Sequence, residues 1–279
     1  MDTMRNFFGY VVLCSFVLLG ACTPQDHLTI LHTNDTHSQI EPKANNQGGY
    51  ARRMGLIAQE RQKDPNLLLL DAGDFCQGTP YFNFFHGRVE LDAMNRMGYD
   101  AATLGNHEFD NGLDTLAAVL KTARFPIVCA NYDFTGTAME GVVKPFTIIR
   151  RAGLKIGIFG LGCDPKGLIS DKNFLPAVYL HPYAVAQEMA DELRAKGCDI
   201  VICLSHLGTE AKAGDSVCDV EMVGQTRGID VVIGGHTHQL YDHLRVANLD
   251  GDSIPLCQMA KSGIYLGKIV LDLNSKNIK

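Results

Sequence analysis

The sequence has little positive charge and no basic stretch. Its 25 Lys and Arg residues are outnumbered by 31 Asp and Glu residues, which gives a formal net charge of -6 at pH 7. Proteins that bind long nucleic acids neutralise phosphates with clustered Lys and Arg side chains. We therefore do not expect long nucleic acid as a partner. The sequence also lacks internal repeats, low-complexity tracts and an obvious linker, so residues 28–279 are treated as one domain.

The apolar run at residues 7–21 is uncharged but too short to span a bilayer comfortably, which takes about 20 apolar residues. Arg5 precedes it, and it ends in Leu-Gly-Ala-Cys at residues 19–22, which resembles a bacterial lipobox. A charged start, an apolar core and a small-residue site describe a secretory signal. We therefore expect a signal peptide at residues 1–21, a lipid on Cys22 and a short tether at residues 22–27. This pattern predicts a lipid-anchored protein of the bacterial cell envelope that faces the periplasm or the cell exterior.

The sequence has nine cysteines but no CxxC motif. Cys14 would leave with the signal peptide and Cys22 would carry the lipid, so nine minus these two leaves seven, which cannot all pair. Cys129 and Cys203 lie in apolar runs, where a free cysteine behaves as a small hydrophobic side chain. We expect these two to be buried rather than disulfide-bonded.

Short apolar runs rich in branched residues alternate with segments of helical periodicity. Between residues 183 and 196, Val185, Met189 and Leu193 recur at helical spacing before Gly197. This alternation predicts an α/β domain with largely parallel strand pairing. Near the end of the chain, the runs at residues 254–260 and 264–273 predict a β-hairpin. The other strand-like runs begin at residues 28, 66, 101, 125, 155, 199 and 230.

Five of the apolar runs end in clusters of polar residues that include Asp, His and Asn. The clusters occupy residues 32–37, 71–74, 105–110, 205–208 and 234–238. One such cluster alone would be read as a turn or a helix cap, because Asn and Asp favour both. The carboxyl ends of strands in an α/β sheet form one edge, where ligands bind. Five clusters at the same phase of five strands therefore indicate one shared site.

The residue types in these clusters suit a metal ion. Asp35 and His37 are two residues apart, as are His236 and His238, so an extended segment would project both side chains of each pair to the same face. Asp74 has small neighbours, so its carboxylate can approach and bridge two cations. Oxygen and imidazole ligands without thiolates favour Zn, Mn, Fe or Co over Ca and argue against a structural zinc.

The candidate ligands are too many for one tetrahedral ion but suit two ions that share a ligand. Paired divalent ions serve the hydrolysis of phosphate esters, because they activate water and clamp the oxygens of an in-line displacement. The candidate set is Asp35, His37, Asp74, Asn106, His206, His236 and His238.

The order of the motifs resembles that of the calcineurin-like metallophosphoesterases. This order is D-x-H, G-D, G-N-H-E, H and G-H-x-H. Longer matches are similar to the 5'-nucleotidase branch: HTNDTH at 32–37, GGYARR at 48–53, DAGD at 71–74, TLGNHEFDNG at 103–112 and GGHTH at 234–238. The resemblance runs from about residue 28 to residue 273. It implies a four-layer αββα sandwich, with two β-sheets between layers of helices.

The resemblance also implies roles for the matching residues. The first ion would be held by Asp35, His37, Asp74 and His238, and the second by Asp74, Asn106, His206 and His236, with Asp74 bridging. His107 matches the family's catalytic histidine, and Asp110 matches the carboxylate that orients it. Glu108 has no such match, so we expect it to be a helix-start carboxylate. His32 alternates away from Asp35 and is expected to be structural.

These observations predict an extracytoplasmic phosphomonoesterase that acts on nucleotides or other small phosphate esters. A phosphodiesterase acting on cyclic nucleotides or nucleotide sugars would use the same ligands and stays open. A non-catalytic lipoprotein binding module is a third possibility, which the intact pair of His107 and Asp110 disfavours. Members of the 5'-nucleotidase branch continue into a C-terminal nucleotide-binding domain, and no stretch of this sequence matches that domain. Three arrangements stay open: a separate polypeptide supplies that domain, a homo-oligomer builds a substitute wall, or the enzyme accepts many small phosphate esters. We favour the separate polypeptide.

Overall fold

The computed structural model of the chain describes residues 26–211 and 217–273. The predicted signal peptide, the predicted lipid site at Cys22 and residues 23–25 of the tether lie outside the described residues. Within the described ranges, no helix combines the length and the apolar character that a bilayer span requires.

The described residues form β-strands and helices that alternate for most of the chain. The strands are β1 (His27–Thr33), β2 (Leu68–Asp71), β3 (Ala101–Ala102), β4 (Tyr132–Asp133), β5 (Phe146–Arg151), β6 (Leu154–Leu161), β7 (Val178–Tyr179), β8 (Ile200–Ser205), β9 (Val231–Ile233), β10 (Leu240–Ala247), β11 (Ser253–Met259) and β12 (Gly267–Asp272). The helices are α1 (Tyr50–Lys63), α2 (Pro80–Phe85), α3 (Arg88–Met97), α4 (Gly112–Leu120), α5 (Asp171–Phe174), α6 (Pro182–Ala195) and α7 (Asp219–Gly224), with a 3-10 helix at His107–Asn111.

Most of the described strands belong to two sheets. The first has the order β12-β1-β2-β3, and the second has the order β10-β11-β9-β8-β6-β5. Pairing is parallel between β1, β2 and β3 and between β11, β9, β8 and β6, and it is antiparallel at the outer strands β12, β10 and β5. The predicted α/β class with largely parallel pairing is therefore confirmed.

The two sheets pack face to face through a shared apolar core. Alternate residues of each strand point to opposite sides, so one face of each sheet lies in this core and the other face meets helices. One apolar cluster joins Leu28, Ile30, Leu68 and Leu70 of the first sheet to Ile200, Ile202 and Leu204 of the second. The alternate residues Leu31 and Leu69 pack instead with residues of α1, α3 and α4. Val201 and Cys203 pack with residues of α6 and α7. This arrangement is the predicted four-layer αββα sandwich.

The hairpin predicted for residues 254–273 is wrong. Strand β11 pairs with β9 and β10 in the second sheet, whereas β12 pairs with β1 in the first. The connection turns the chain from one sheet to the other through positive φ angles at Ala260, Ser262 and Gly263. Ile269 and Leu271 of β12 then complete the core between the sheets. Apolar alternation predicts that a segment is a strand, but it does not select the partner strand.

The structure also tests the predictions for a helix, a strand-like run, two cysteines and His32. Helix α6 covers the segment predicted to be helical, whereas the strand-like run at residues 125–129 forms only isolated bridges with residues 102 and 144. Cys129 and Cys203 are buried and free, as predicted. His32 is buried in β1 with only 1% of its surface exposed, which confirms its structural character.

Candidate metal centre

The carboxyl ends of strands from both sheets meet at one place. The loops after β1, β2 and β3 carry Asp35, His37, Asp74, Asn106, His107 and Asp110, and the loops after β8 and β9 carry His206, His236 and His238. A hydrogen bond joins the two sheets here, because the backbone N–H of His236 donates to the Asp35 carboxylate at 3.0 Å. The structure therefore brings all nine predicted site residues to the same edge.

Backbone hydrogen bonds continue the β1–β2 pairing beyond the ends of the strands. The N–H of Ala72 donates to the carbonyl of Thr33, and the N–H of Asp35 donates to the carbonyl of Gly73, both at 2.9 Å. The N–H of His37 then donates to the carbonyl of Asp74 at 3.0 Å. The loops after β1 and β2 are thus held side by side by their main chains.

Five of the predicted metal ligands have left-handed backbone conformations, with φ of 49° at Asp35, 45° at His37, 54° at Asp74, 73° at His236 and 60° at His238. The extended geometry expected for the D-x-H and H-x-H pairs is therefore wrong. Positive φ is uncommon for residues with a Cβ and costs about 1–3 kcal/mol per residue. Such strain persists where surrounding contacts enforce it, and it concentrates at functional sites.

Four side chains form a compact group that could hold a metal ion. Ligand atoms of Asp35, His37, Asp74 and His238 all lie within 4.8 Å of one another. The Nε2 atoms of His37 and His238 are 2.9 Å apart, and the Nε2 atom of His238 is 3.4 Å from Oδ1 of Asp35. Two imidazoles and two carboxylates converge on one small volume, which is the donor set expected for a borderline divalent ion.

The remaining predicted ligands are His206, His236 and Asn106. The Nε2 atom of His206 is 3.1 Å from Oδ2 of Asp74 and 3.8 Å from Oδ1 of Asp35. The Nδ1 atom of His236 is 3.1 Å from Oδ1 of Asn106, and the ring centroids of His206 and His236 are 5.3 Å apart. Asp74 therefore contacts His206 as well as belonging to the group of four.

The donor set fits a cation, as the surroundings of His206 show. This histidine is fully buried, and its Nδ1 contacts the carbonyl of Ala72 at 2.7 Å, which directs Nε2 towards Asp74. That Nε2 atom is buried, and although Oδ2 of Asp74 lies 3.1 Å away, the angle between them is not that of a hydrogen bond. Burial disfavours charge on both groups, but their mutual attraction lowers the pKa of Asp74 and raises the pKa of His206 to about 10. A divalent ion bound at Nε2 would displace a proton from this nitrogen, because histidine binds metals in its neutral form.

His107 and Asp110 form a pair at the more open side of the group. The Nδ1 atom of His107 is 3.0 Å from Oδ2 of Asp110, and the two side chains are 31% and 36% exposed. Burial lowers the pKa of His107, but the hydrogen bond with Asp110 and the charge of Asp74 outweigh it and raise the pKa. The backbone N–H of His107 donates to Oδ1 of Asp74 at 2.9 Å, so this histidine is anchored directly to the central carboxylate.

Glu108 is not the simple helix-start carboxylate that the sequence predicted. It is 2% exposed and accepts the backbone N–H groups of Asp74 at 3.0 Å, Cys76 at 3.0 Å and Gly105 at 2.6 Å. Burial and the nearby Asp74 charge raise the pKa of Glu108 to about 7. These contacts tie the loop after β2 to the loop after β3. Pattern analysis missed this role because the partners of Glu108 are main-chain atoms, which no side-chain motif reveals.

Gly105 shows how closely the two loops approach. A Cβ atom at this position would lie 2.2 Å from Oδ1 of Asp74 and 2.7 Å from its backbone nitrogen. Atoms cannot approach that closely without displacement, so only glycine lets the Asp74 carboxylate occupy its position. The glycine of the GNHE motif is therefore part of the site.

Comparisons with known proteins agree with this geometry. A family profile described as calcineurin-like phosphoesterase matches residues 28–240. The snake venom 5'-nucleotidase of Naja atra is 35% identical over 280 residues, an alignment that covers 89% of this chain and 51% of that protein. The chain thus spans about half the length of the curated relatives it matches.

Solved structures give the same result for the fold. The 5'-nucleotidase precursor from Thermus thermophilus superposes with a TM-score of 0.80 at 33% identity, covering 91% of this chain and 53% of that chain. The calcineurin-like phosphoesterase YfkN from Bacillus subtilis superposes with a TM-score of 0.74 at 30% identity, covering 92% of this chain and 88% of that chain. The resemblance predicted from the motifs is confirmed. The chain belongs to the calcineurin-like phosphoesterase family.

Proposed function

We propose that this chain is the catalytic domain of a phosphoric ester hydrolase that uses two divalent ions to release phosphate from nucleotides. The observation that supports the proposal is the position of Asp74, whose carboxylate belongs to the compact group with Asp35, His37 and His238 and also lies 3.1 Å from Nε2 of the buried His206. A bridging carboxylate in that position suits a pair of ions better than a single ion.

The proposed ligands divide around Asp74. Asp35, His37, Asp74 and His238 would hold the first ion, and Asp74, Asn106, His206 and His236 would hold the second. Ions of the Zn, Mn, Fe or Co class fit this mixture of imidazole and oxygen donors. When bound, the ions supply Lewis acidity for the phosphoryl oxygens and for a water molecule. The protein holds these ligand side chains in fixed positions relative to one another.

His107 is proposed to contact the phosphoryl group. Its ring lies beside that of His37, with centroids 5.4 Å apart, and its Nδ1 is paired with Asp110. Because Asp110 accepts from Nδ1, the opposite nitrogen is directed away from Asp110 and can donate to an oxygen of the substrate. A cationic imidazole there stabilises the negative charge that develops on the phosphoryl or leaving oxygens.

Nucleotide monoesters are the proposed substrates because several relatives bear the name 5'-nucleotidase. Hydrolysis of diesters, such as cyclic nucleotides or nucleotide sugars, needs the same ions, so the candidate ligands do not separate the two reactions. We propose the monoesterase and treat diester hydrolysis as an outcome of the test.

Selectivity among nucleotides is proposed to depend on groups beyond residues 26–273, on this chain or on a second one. Discrimination between substrates requires stacking and buried hydrogen bonds around the base. The side chains of His107 and His238 are 31% and 34% exposed, so the described domain leaves one side of the group open.

We also propose an extracytoplasmic location with a lipid on Cys22, supported by the sequence pattern at residues 5–22.

The function can be tested by phosphate release from the full chain after it is freed of metal and reloaded. Metal-stripped protein should be inactive, and Mn²⁺, Zn²⁺ or Co²⁺ should restore hydrolysis of AMP and other nucleoside monophosphates. A cyclic nucleotide and a nucleotide sugar serve as diester controls. If the chain hydrolysed these diesters faster than nucleoside monophosphates, the proposed activity would be that of a diesterase. Full metal occupancy with no turnover of either class would overturn the proposed function.

A further inference from the structure

Gln258 is a fully buried polar residue on β11, beside the loop that carries His236 and His238. It belongs to the segment that the sequence predicted to be half of a hairpin, and no motif includes it. A buried carboxamide costs free energy unless its donors and acceptors are satisfied. Its partners therefore indicate what the residue does.

The carboxamide of Gln258 is saturated by two partners in the GGHTH loop, by the residue that follows this loop and by Thr209. Its Nε2 donates to the carbonyl of Gly235 at 2.8 Å and to the hydroxyl of Thr209 at 2.9 Å. Its Oε1 accepts the backbone N–H of Gln239 at 2.7 Å and the hydroxyl of Thr237 at 3.1 Å. These contacts lie before, between and after the two histidines, so one side chain fixes the path of the whole loop.

The loop needs such support because both histidines have left-handed backbone conformations. A residue with a Cβ occupies that region only when its surroundings enforce it. The N–H of His236 donates to the Asp35 carboxylate at 3.0 Å, and the N–H of Thr237 donates to the carbonyl of Gly235 at 2.9 Å. Gln258 adds side-chain hydrogen bonds to this support. Without the Gln258 contacts, we expect the loop to relax towards ordinary φ values and to carry the imidazoles away from Asp35 and Asn106.

The end of β11 is also attached to the loop of the first sheet through Asn34. The N–H of Met259 donates to Oδ1 of Asn34 at 2.8 Å, and Nδ2 of Asn34 donates to the carbonyl of Ala260 at 2.8 Å. The same Nδ2 contacts the Asp35 carboxylate at 2.6 Å. Consecutive residues of β11 thus hold the His236–His238 loop on one side and the Asp35 loop on the other.

We propose that Gln258 is a positioning residue that sets the distance of His236 and His238 from Asp35 and thereby the metal affinity of the centre. This inference rests on the proposed metal centre but is independent of the substrate. Partners outside the first ligand shell change metal affinity by about 10- to 100-fold when they are removed. Gln258 acts on both proposed ions, because one histidine of the loop belongs to each group.

The test uses Gln258→Met, which keeps the length of the side chain but removes all of its hydrogen bonds. Gln258→Glu keeps the shape of the side chain but replaces the Nε2 donor with an oxygen, which cannot donate to the carbonyl of Gly235. Gln62→Met, at an exposed position of α1, is the matched control. Each metal-stripped full-length protein is titrated with Co²⁺, whose visible absorption reports ligand geometry, and its melting temperature is measured without metal.

Both Gln258 variants should bind Co²⁺ at least about 10-fold more weakly than the wild type, with an altered absorption spectrum, while Gln62→Met matches the wild type. A purely structural role would lower the melting temperature alone. Gln258 variants that bind Co²⁺ within about threefold of the wild type, with an unchanged spectrum, would therefore overturn the proposal.

Three further outcomes each have a defined consequence. If Gln258→Met does not fold, Thr237→Val removes the hydroxyl that contacts Gln258, and its Co²⁺ affinity is judged by the same limits. If the wild type binds Co²⁺ but hydrolyses no nucleotide, the proposed function fails while the role of Gln258 is still decided by the titration. A wild type that binds no Co²⁺, Mn²⁺ or Zn²⁺ would overturn both.

Discussion

Glu108 accepts the backbone N–H of Asp74 at 3.0 Å, so a buried carboxylate in the 3-10 helix after β3 positions the Asp74 carboxylate in the loop after β2. The same Oε2 atom accepts the N–H of Gly105 at 2.6 Å, and Oε1 accepts the N–H of Cys76 at 3.0 Å. Three main-chain donors that would otherwise be buried without partners depend on this one side chain.

Glu108→Ala should lower the free energy of unfolding by about 3 kcal/mol or more, because each buried donor left unpaired costs about 1–3 kcal/mol. The free energy of unfolding of Glu108→Gln should lie between those of Glu108→Ala and the wild type, since only the oxygen of its amide can accept hydrogen bonds. Chemical denaturation of the metal-free proteins measures these free energies. Glu188→Ala, at an exposed position of α6, is the control. Wild-type stability of Glu108→Ala would contradict the supporting role.

His107→Ala should reduce kcat by about 10²- to 10⁴-fold while both ions stay bound, because His107 is proposed to stabilise charge and is not a proposed ligand. Asp74→Ala should lose metal as well as activity, since it removes the carboxylate common to both ligand groups. Metal analysis after dialysis, combined with phosphate release, separates the two effects. His107→Ala with wild-type turnover would refute the assigned role.

Gly105→Ala should weaken metal binding strongly, because its Cβ would lie 2.2 Å from Oδ1 of Asp74 and displace that oxygen. Gly55→Ala is a matched control, since no atom lies within 4 Å of a Cβ at that position of α1. The control should gain about 1 kcal/mol of stability from helix propensity. Titration with Mn²⁺ and thermal melting measure the two effects. Equal Mn²⁺ affinity in both variants would show that the close approach is unimportant.

Stability should fall in acid partly through His32, because burial lowers its pKa to about 4 from the ordinary value of 6.5. Between these values the unfolded chain binds more protons than the folded one, so stability rises with pH through this window. From pH 7 to pH 4.5 the loss should be about 2 kcal/mol.

His32→Leu should reduce this pH-dependent loss by that amount, whereas His243→Leu, at a 91% exposed side chain, should not change it. Guanidinium denaturation of the three metal-free proteins at both pH values gives the pH-dependent loss of stability for each protein. If His32→Leu loses as much stability in acid as the wild type does, another group is responsible.

Much of the site was predictable because strand direction and residue type are both local properties. Parallel strands place their carboxyl ends at one edge, so polar clusters after five apolar runs indicated a shared site before any contact was known. The α/β class and the burial of His32 followed from the same periodicity. The resemblance of the motifs then implied the four-layer arrangement, which periodicity alone did not reveal.

The main errors concern contacts between distant parts of the chain. Strand β12 leaves β11 and joins β1 because Ile269 and Leu271 complete the core between the sheets, and alternation alone cannot select that partner. The backbone of Asp35 and His37 is left-handed because it follows the carbonyls of Gly73 and Asp74, whereas spacing alone suggested an extended segment.

By itself, the sequence determined which side chains stand at the ends of the strands and which family the chain resembles, since both are written in residue type and order. Only the tertiary structure decided how those side chains are held. Glu108 supports Asp74 from 34 positions away, and Gln258 supports Gly235 from 23 positions away. Each contact forms only when the strands of its own sheet have come together, and it joins a side chain to main-chain atoms that carry no sequence signature.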